Sequence, residues 1–210
     1  MIKDPKTRKI LKIVITIILV SASIYLFFNG KALYQTVGYS INPTSFEDSE
    51  LDSLLASYEN SPSLITASGV EGQVAEGWLA YPKLGIEAPI IWGVPIGEST
   101  PKMNNGLVHI DSSSRPGGGG TVFISGHSSY YWWQEGKYKE IFANLSKAEV
   151  GDKIVIRQDG IFIYEVISVT EVNKNTPIDI KSTNDKEELK LMTCTPLGTD
   201  IGRLIVEANL

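Results

Sequence analysis

The sequence predicts a mainly β domain, an antiparallel barrel or sandwich with short helices, preceded by one N-terminal transmembrane helix. Three observations carry this expectation. A charge-free run, IVITIILVSASIYLFF, fills Ile13 to Phe28. From Glu76 onward, short apolar runs are punctuated by Gly and Pro, the pattern of closely spaced strands. Helical periodicity shows only in brief stretches.

Residues 1–9 form a basic tail, and residues 10–28 the transmembrane segment. With Ile10 and Leu11 across Lys12, the apolar stretch reaches the ~20 residues a helix needs to span a bilayer. A lysine at the helix edge can snorkel to the headgroups. Lys3, Lys6, Arg8, Lys9 and Lys12 precede or edge the run against one acid, Asp4. This predicts a cytoplasmic N-terminus and an extracellular body. Ser21-Ala22-Ser23 lies inside the apolar run, with Leu26-Phe27-Phe28 after it, which favours an uncleaved signal-anchor over a cleaved signal peptide. Residues 29–75 read as an extracellular tether. Its first part, 29–45, is polar and turn-rich, and Leu51, Leu54, Leu55 and Tyr58 then mark one face of a short helix. Ser61-Pro62-Ser63 ends that helix.

Residues 76–210 read as the β body. Gly77–Leu84 and Ile86–Gly93 are strands split at Gly85, and Pro82 and Pro89 favour edge or bulge positions. Arg115-Pro116-Gly117-Gly118-Gly119-Gly120 is a loop, and Val122–Ser125 a strand that delivers His127 to its C-terminal end. Tyr138, Ile141, Phe142 and Leu145 predict a helix that stops before Gly151. Lys153–Arg157 and Ile161–Val172 flank Gln158-Asp159-Gly160, a hairpin signal. Residues 173–188 read as a polar, charged connection before two last strands, Leu189–Thr193 and Arg203–Ala208.

Beyond residue 30 the chain carries 14 basic and 23 acidic side chains, a net charge of −9. An acidic body excludes nucleic-acid binding through phosphate neutralisation. The one cysteine, Cys194, has no partner for an internal disulfide, so it is either an inert buried thiol or a reactive one. Cys194, His127 and Arg203 supply a thiol, an imidazole and a guanidinium, the groups that cysteine acyl transfer requires. His109, the other histidine, reads as structural or groove-lining, because its Val-His-Ile-Asp context lacks the Gly-His pair. Tyr130, Tyr131, Trp132 and Trp133 read as core packing or a lid in preference to carbohydrate binding, with a peptide-groove wall as a further reading. Asp179, Asp185, Glu187 and Glu188 read as a solvated face rather than a Ca²⁺ site, so no cofactor is expected.

At Lys190-Leu191-Met192-Thr193-Cys194, followed by Thr195-Pro196 and by Arg203-Leu204-Ile205-Val206, the chain resembles the sortases, membrane-anchored cysteine transpeptidases of mainly Gram-positive surfaces. Lys190 departs from the threonine that opens the family's Thr-Leu-x-Thr-Cys motif. Gly106-Leu107-Val108-His109, Pro116-Gly117, Ser125-Gly126-His127, Val150-Gly151-Asp152-Lys153-Ile154 and Tyr164-Glu165-Val166 add further landmarks in order. The resemblance implies an eight-stranded β-barrel over 76–210, with Cys194 ending the seventh strand as nucleophile and Arg203 opening the eighth. It implies His127 as general acid/base and Arg203 as oxyanion stabiliser or substrate-positioning group.

The implied reaction cleaves an LPxTG-like sorting signal of a secreted protein through a thioester on Cys194, then transfers the acyl group to an amine of the cell wall or a pilin lysine. The chain ends at Leu210 near a strand, which favours wall anchoring over pilus assembly. Two other readings stand beside it. An L,D-transpeptidase is a second exported cysteine acyltransferase, but its Ser-His-Gly-Cys signature is absent. A non-enzymatic membrane-tethered β-domain would require an inert Cys194.

Overall fold

The structure, a computed structural model, describes residues 5–41, 77–131, 133–180 and 187–210. The helix expected over 51–58 lies outside the described residues.

Eight strands close into a barrel: β1 (Trp78–Tyr81), β2 (Ile86–Val94), β3 (Leu107–Ile110), β4 (Thr121–Ser125), β5 (Lys153–Arg157), β6 (Ile161–Asn173), β7 (Glu188–Thr195) and β8 (Gly202–Asn209). Their order around the barrel is β1-β2-β3-β4-β7-β8-β6-β5. The barrel reading is thereby settled over the sandwich. The all-antiparallel expectation needs correction, since β2 pairs with β3, and β4 with β7, in parallel. Parallel neighbours need a crossover that returns the chain to the starting end. The segment 95–106, which includes a single helical turn at Ser99–Lys102, and the long segment 126–187 supply the two crossovers.

The N-terminal helix α1 runs over Pro5–Ile41 and is long and apolar enough to cross a membrane, with none of its apolar window buried in the protein. It extends well past the end expected at Phe28. The reason is tertiary. Asn29, Ala32, Thr36 and Tyr39 recur at helical spacing and meet the barrel, so docking offsets the modest propensity of this polar stretch. A second, single-turn helix, α2, covers Ser99–Lys102.

Tyr138, Ile141, Phe142 and Leu145 do face the core, but through successive tight turns and a 3₁₀ turn at Leu145–Lys147, not through the predicted α-helix. The amides of Ile141, Ala143, Leu145 and Lys147 each bond the carbonyl three residues back, giving a repeat of three that mimics helical spacing. In the β5–β6 hairpin Asp159 takes a positive φ of 52°, which Asp tolerates.

The interior packs Leu79, Ile86, Ile90, Leu107, Val122, Ile124, Leu191 and Val206 with Tyr81, Phe142 and Tyr164. Along β7 the two-residue period points Leu189, Leu191 and Thr193 inward. Lys190, Met192 and Cys194 therefore share the outer face. A second apolar cluster, Val94, Met103, Val108, Ile110 and Phe123, covers that outer side together with Ile178, Ile180 and Met192.

Candidate active site

The register of β7 against β8 sets Cys194 opposite Arg203, on the outer face where Met192 also lies. His127 arrives from the neighbouring strand, two residues past β4. Three bonds tie that strand end to β7: Gly126 N–H donates to Met192 O (3.1 Å), Thr193 Oγ1 to Gly126 O (2.8 Å) and Ser128 Oγ to Cys194 O (2.9 Å). Gly126 has no room for a side chain, because a Cβ would lie 2.7 Å from Leu107 Cδ2 and 2.8 Å from Phe142 Cδ2. His127, Cys194 and Arg203 all line one cavity of about 740 Å³. Its apolar floor is Met103, Ile110, Phe123, Ile178, Ile180 and Met192.

The His127 ring is buried, stacked on Tyr130 with centroids 4.2 Å apart. Its Nε2 lies 3.2 Å from Thr100 O in α2. A carbonyl only accepts, so Nε2 carries the proton and Nδ1 is the basic nitrogen of the neutral ring. Burial holds the imidazole below its usual range, with Thr100 O and Glu140 opposing.

The Cys194 thiol is pushed up by burial; Arg203 opposes and Asp200 reinforces the rise. Asp200 sits between the two, its Oδ1 3.8 Å from Cys194 Sγ and 2.7 Å from an Arg203 guanidinium nitrogen. Against the burial that opposes it, Arg203 and Lys174 hold the Asp200 carboxyl below the usual range. Arg203 also donates to Gly202 O at 2.9 Å.

His109 lines no part of this cavity. It lies buried in β3, where Gly93 N–H donates to Nδ1 (3.3 Å) and Nε2 meets Ser114 O (2.8 Å), a structural role. The aromatic run divides. Tyr130 and Tyr131 line the cavity, whereas Tyr131 and Trp133 stack at 4.7 Å and are both exposed, which corrects the core-packing reading for these two rings. Trp132 lies outside the described residues.

Glu187 is not a solvated carboxylate. It accepts from the amides of Gly117 (2.9 Å) and Gly119 (3.2 Å) and from Tyr164 Oη, pinning the glycine loop, whose Gly117 and Gly119 have positive φ of 79° and 70°. Glu188 lies near Lys190, and Asp185 lies outside the described residues. Among the described residues no three acidic, histidine or cysteine side chains group as a metal site would require. Lys190, the departure from the motif, points outward and pairs with Glu207 across β8 at 3.2 Å.

Thr100, Asp200, Ile178 and Ile180 escaped sequence reasoning. The 173–188 connection, read as polar, lends the last two to the cavity floor.

A Sortase-domain family model matches residues 79–210. Sortase D of Bacillus subtilis (strain 168) is 29% identical over 125 residues, covering 59% of this chain and 56% of that protein, so the match spans little more than half of the curated relative. Among solved structures, sortase C1 of GBS pilus island 1 superposes with a TM-score of 0.56 at 22% identity, covering 83% of this chain and 89% of that one. A lid mutant of sortase A from Corynebacterium diphtheriae gives 0.54 at 22% identity, covering 86% and 92%. At such identities these structures speak for the fold, an eight-stranded sortase barrel. The chain belongs to the sortase family.

Proposed function

We propose that the protein is a membrane-tethered cysteine transpeptidase, body outside the cell, acting on the C-terminal sorting signal of secreted proteins. The observation that carries the reading is the convergence of Cys194, His127 and Arg203 on one cavity with an apolar floor. An extended LPxTG-like segment fits such a groove, its leucine against Phe123, Ile110 and Met192 and its scissile carbonyl at Cys194.

The thiol transfers its proton to His127 Nδ1, and the thiolate attacks the carbonyl carbon. Arg203 stabilises the oxyanion that forms or positions the carbonyl. His127 returns the proton to the departing amine as the C–N bond breaks, leaving a thioester on Cys194. An incoming amine, from a cell-wall precursor or a pilin lysine, attacks the thioester and releases the thiol. Asp200 must yield its hold on Arg203 for the substrate carbonyl to take that place.

The test incubates the full chain in detergent micelles with LPxTG-like peptides and a glycine, diaminopimelate-type or lysine amine, alongside Cys194→Ala. Mass spectrometry is expected to show a thioester at Cys194 and a ligated product, both absent from the variant. The amine that ligates identifies the acceptor class. A folded protein forming no adduct, with a thiol inert to small alkylating agents, would overturn the enzyme reading in favour of a tethered binding domain.

A further inference from the structure

The apolar run of α1 ends at Phe28, and two barrel loops touch the helix at that level. At ~1.5 Å per residue, Ile10 to Phe28 covers ~28 Å, close to the ~30 Å hydrocarbon thickness of a bilayer. Residues 25–29 then lie at the outer edge of the hydrocarbon when the run spans the membrane. Trp133 meets Phe28 edge-on at 5.7 Å. Tyr25 Oη donates to Leu197 O at 2.9 Å. Asn29 packs on Gly198, where an added Cβ would lie 2.3 Å from Asn29 Oδ1. The aromatic loop and the β7–β8 turn therefore flank the same stretch of helix.

Both loops present apolar surface there. Tyr131 and Trp133 leave 53% and 51% of their surfaces exposed, and Ile201 in the turn leaves 65%. The aromatic loop is braced from the protein side by Lys139, a buried side chain whose Nζ donates to Tyr131 O (3.3 Å) and Gln134 O (2.7 Å). The exposed Tyr131 and Trp133 rings stack on each other at 4.7 Å. Phenol and indole rings concentrate at the headgroup level of a bilayer. A groove wall accounts for Tyr130 and Tyr131, but Trp133 lies outside the groove lining.

We infer that Tyr131, Trp133 and Ile201 form a footing in the headgroup layer of the bilayer that α1 crosses, setting the mouth of the Cys194 groove at the membrane surface. The inference rests on α1 being a membrane span. Phe28 and Asn29 belong to both the helix and the groove lining, so the groove opens where the helix leaves the bilayer. A substrate still held in the membrane reaches Cys194 without leaving that surface.

The test uses the full chain carrying Cys194→Ala, which removes the one native cysteine. Single nitroxide labels go at Val20→Cys in the span, at Trp133→Cys and Ile201→Cys in the footing, and at Gly160→Cys. Gly160 sits in the hairpin that starts β6, at the end of that strand opposite Asn173, the register partner of Gly202. A Cβ there makes only ordinary contact with Phe162 at 3.6 Å. In phosphatidylcholine–phosphatidylglycerol vesicles, collision rates with oxygen and with a water-soluble nickel chelate report depth. Burial in protein lowers both rates, whereas entry into the bilayer raises the oxygen-to-nickel ratio. The ratio is expected to be highest at Val20, lowest at Gly160, and intermediate and alike at Trp133 and Ile201. Ratios at Trp133 and Ile201 equal to that at Gly160, with Val20 deep, overturn the footing alone. A Val20 label as nickel-accessible as Gly160 overturns the span itself and the footing with it.

Discussion

Cys194 and Arg203 are register partners across the antiparallel β7–β8 ladder, so their side chains leave the same face of the barrel side by side. Strand pairing, not loop conformation, sets the spacing between thiol and guanidinium. Arg203→Ala should therefore leave the barrel folded and the thiol in place, while peptide cleavage falls by roughly 10²–10³-fold if the guanidinium stabilises the oxyanion. Steady-state cleavage beside thermal unfolding checks this. A loss confined to KM would assign Arg203 to substrate positioning.

Asp200 competes for that guanidinium and stands 3.8 Å from the sulfur. Its negative charge disfavours the thiolate and weakens the stabilisation that Arg203 offers. Asp200→Asn should lower the pH midpoint of Cys194 alkylation by a small neutral reagent such as iodoacetamide. An unchanged or higher midpoint would mean that Asp200 instead holds Arg203 in the position that helps the thiol.

Burial raises the Cys194 thiol and lowers the His127 imidazole, so both are neutral over the interval between their two titrations. The thiolate–imidazolium pair is a minor tautomer of that singly protonated state. Peptide cleavage should follow a bell in pH, lost on the acid side as His127 protonates and on the alkaline side as the thiol ionises without an imidazolium to supply the leaving-group proton. Alkylation needs only thiolate and should keep rising to a midpoint above that of an ordinary thiol. Coincident acid limbs for the two reactions would show that a preformed ion pair, not the neutral pair, dominates.

The barrel and the three chemical groups were legible because Cys194 and Arg203 sit on strands and His127 just past one, where side chains alternate and short apolar runs declare themselves. The hairpin at Asp159-Gly160 and the β7 stretch ending at Cys194 show this directly. What stayed hidden depends on contacts between distant segments. Thr100 orients His127 from 27 positions upstream. Asp200 gains its role only when the β7–β8 turn folds back over Cys194, and Ile178 and Ile180 sit in a stretch whose composition reads as solvent-exposed. The extension of α1 past Phe28 and the two parallel pairings likewise arise from docking, which local periodicity does not encode.

Gly126 couples the packing to the site. A methyl at this position meets Leu107 and Phe142 inside van der Waals contact, and the backbone cannot retreat because Gly126 is bonded to Met192 and Thr193 on β7. Gly126→Ala should destabilise the fold by about 1–3 kcal/mol, as overpacking in a filled core does. Since His127 is the next residue, cleavage should fall further than the folded fraction accounts for. Urea unfolding and activity measured on the same preparation separate the two effects.

Asp152 tests the barrel independently of the chemistry. Its buried carboxylate accepts from Tyr81 Oη at 2.6 Å, Lys83 Nζ at 2.6 Å and the Glu149 amide at 2.8 Å, joining β1, the turn after it and the turn before β5. The Tyr81 hydroxyl is itself fully buried, so truncating Asp152 strands a phenol and an amide without an acceptor. Each orphaned donor costs about 1–3 kcal/mol, and the two together with the lost ion pair predict a loss of roughly 3 kcal/mol for Asp152→Ala. Asp152→Asn keeps an acceptor and should lose less. In both variants the folded protein should alkylate at Cys194 with the wild-type pH midpoint, because none of Tyr81, Lys83, Glu149 and Asp152 lines the groove. A shifted midpoint would reveal that β1 and β5 transmit strain across the barrel to β7.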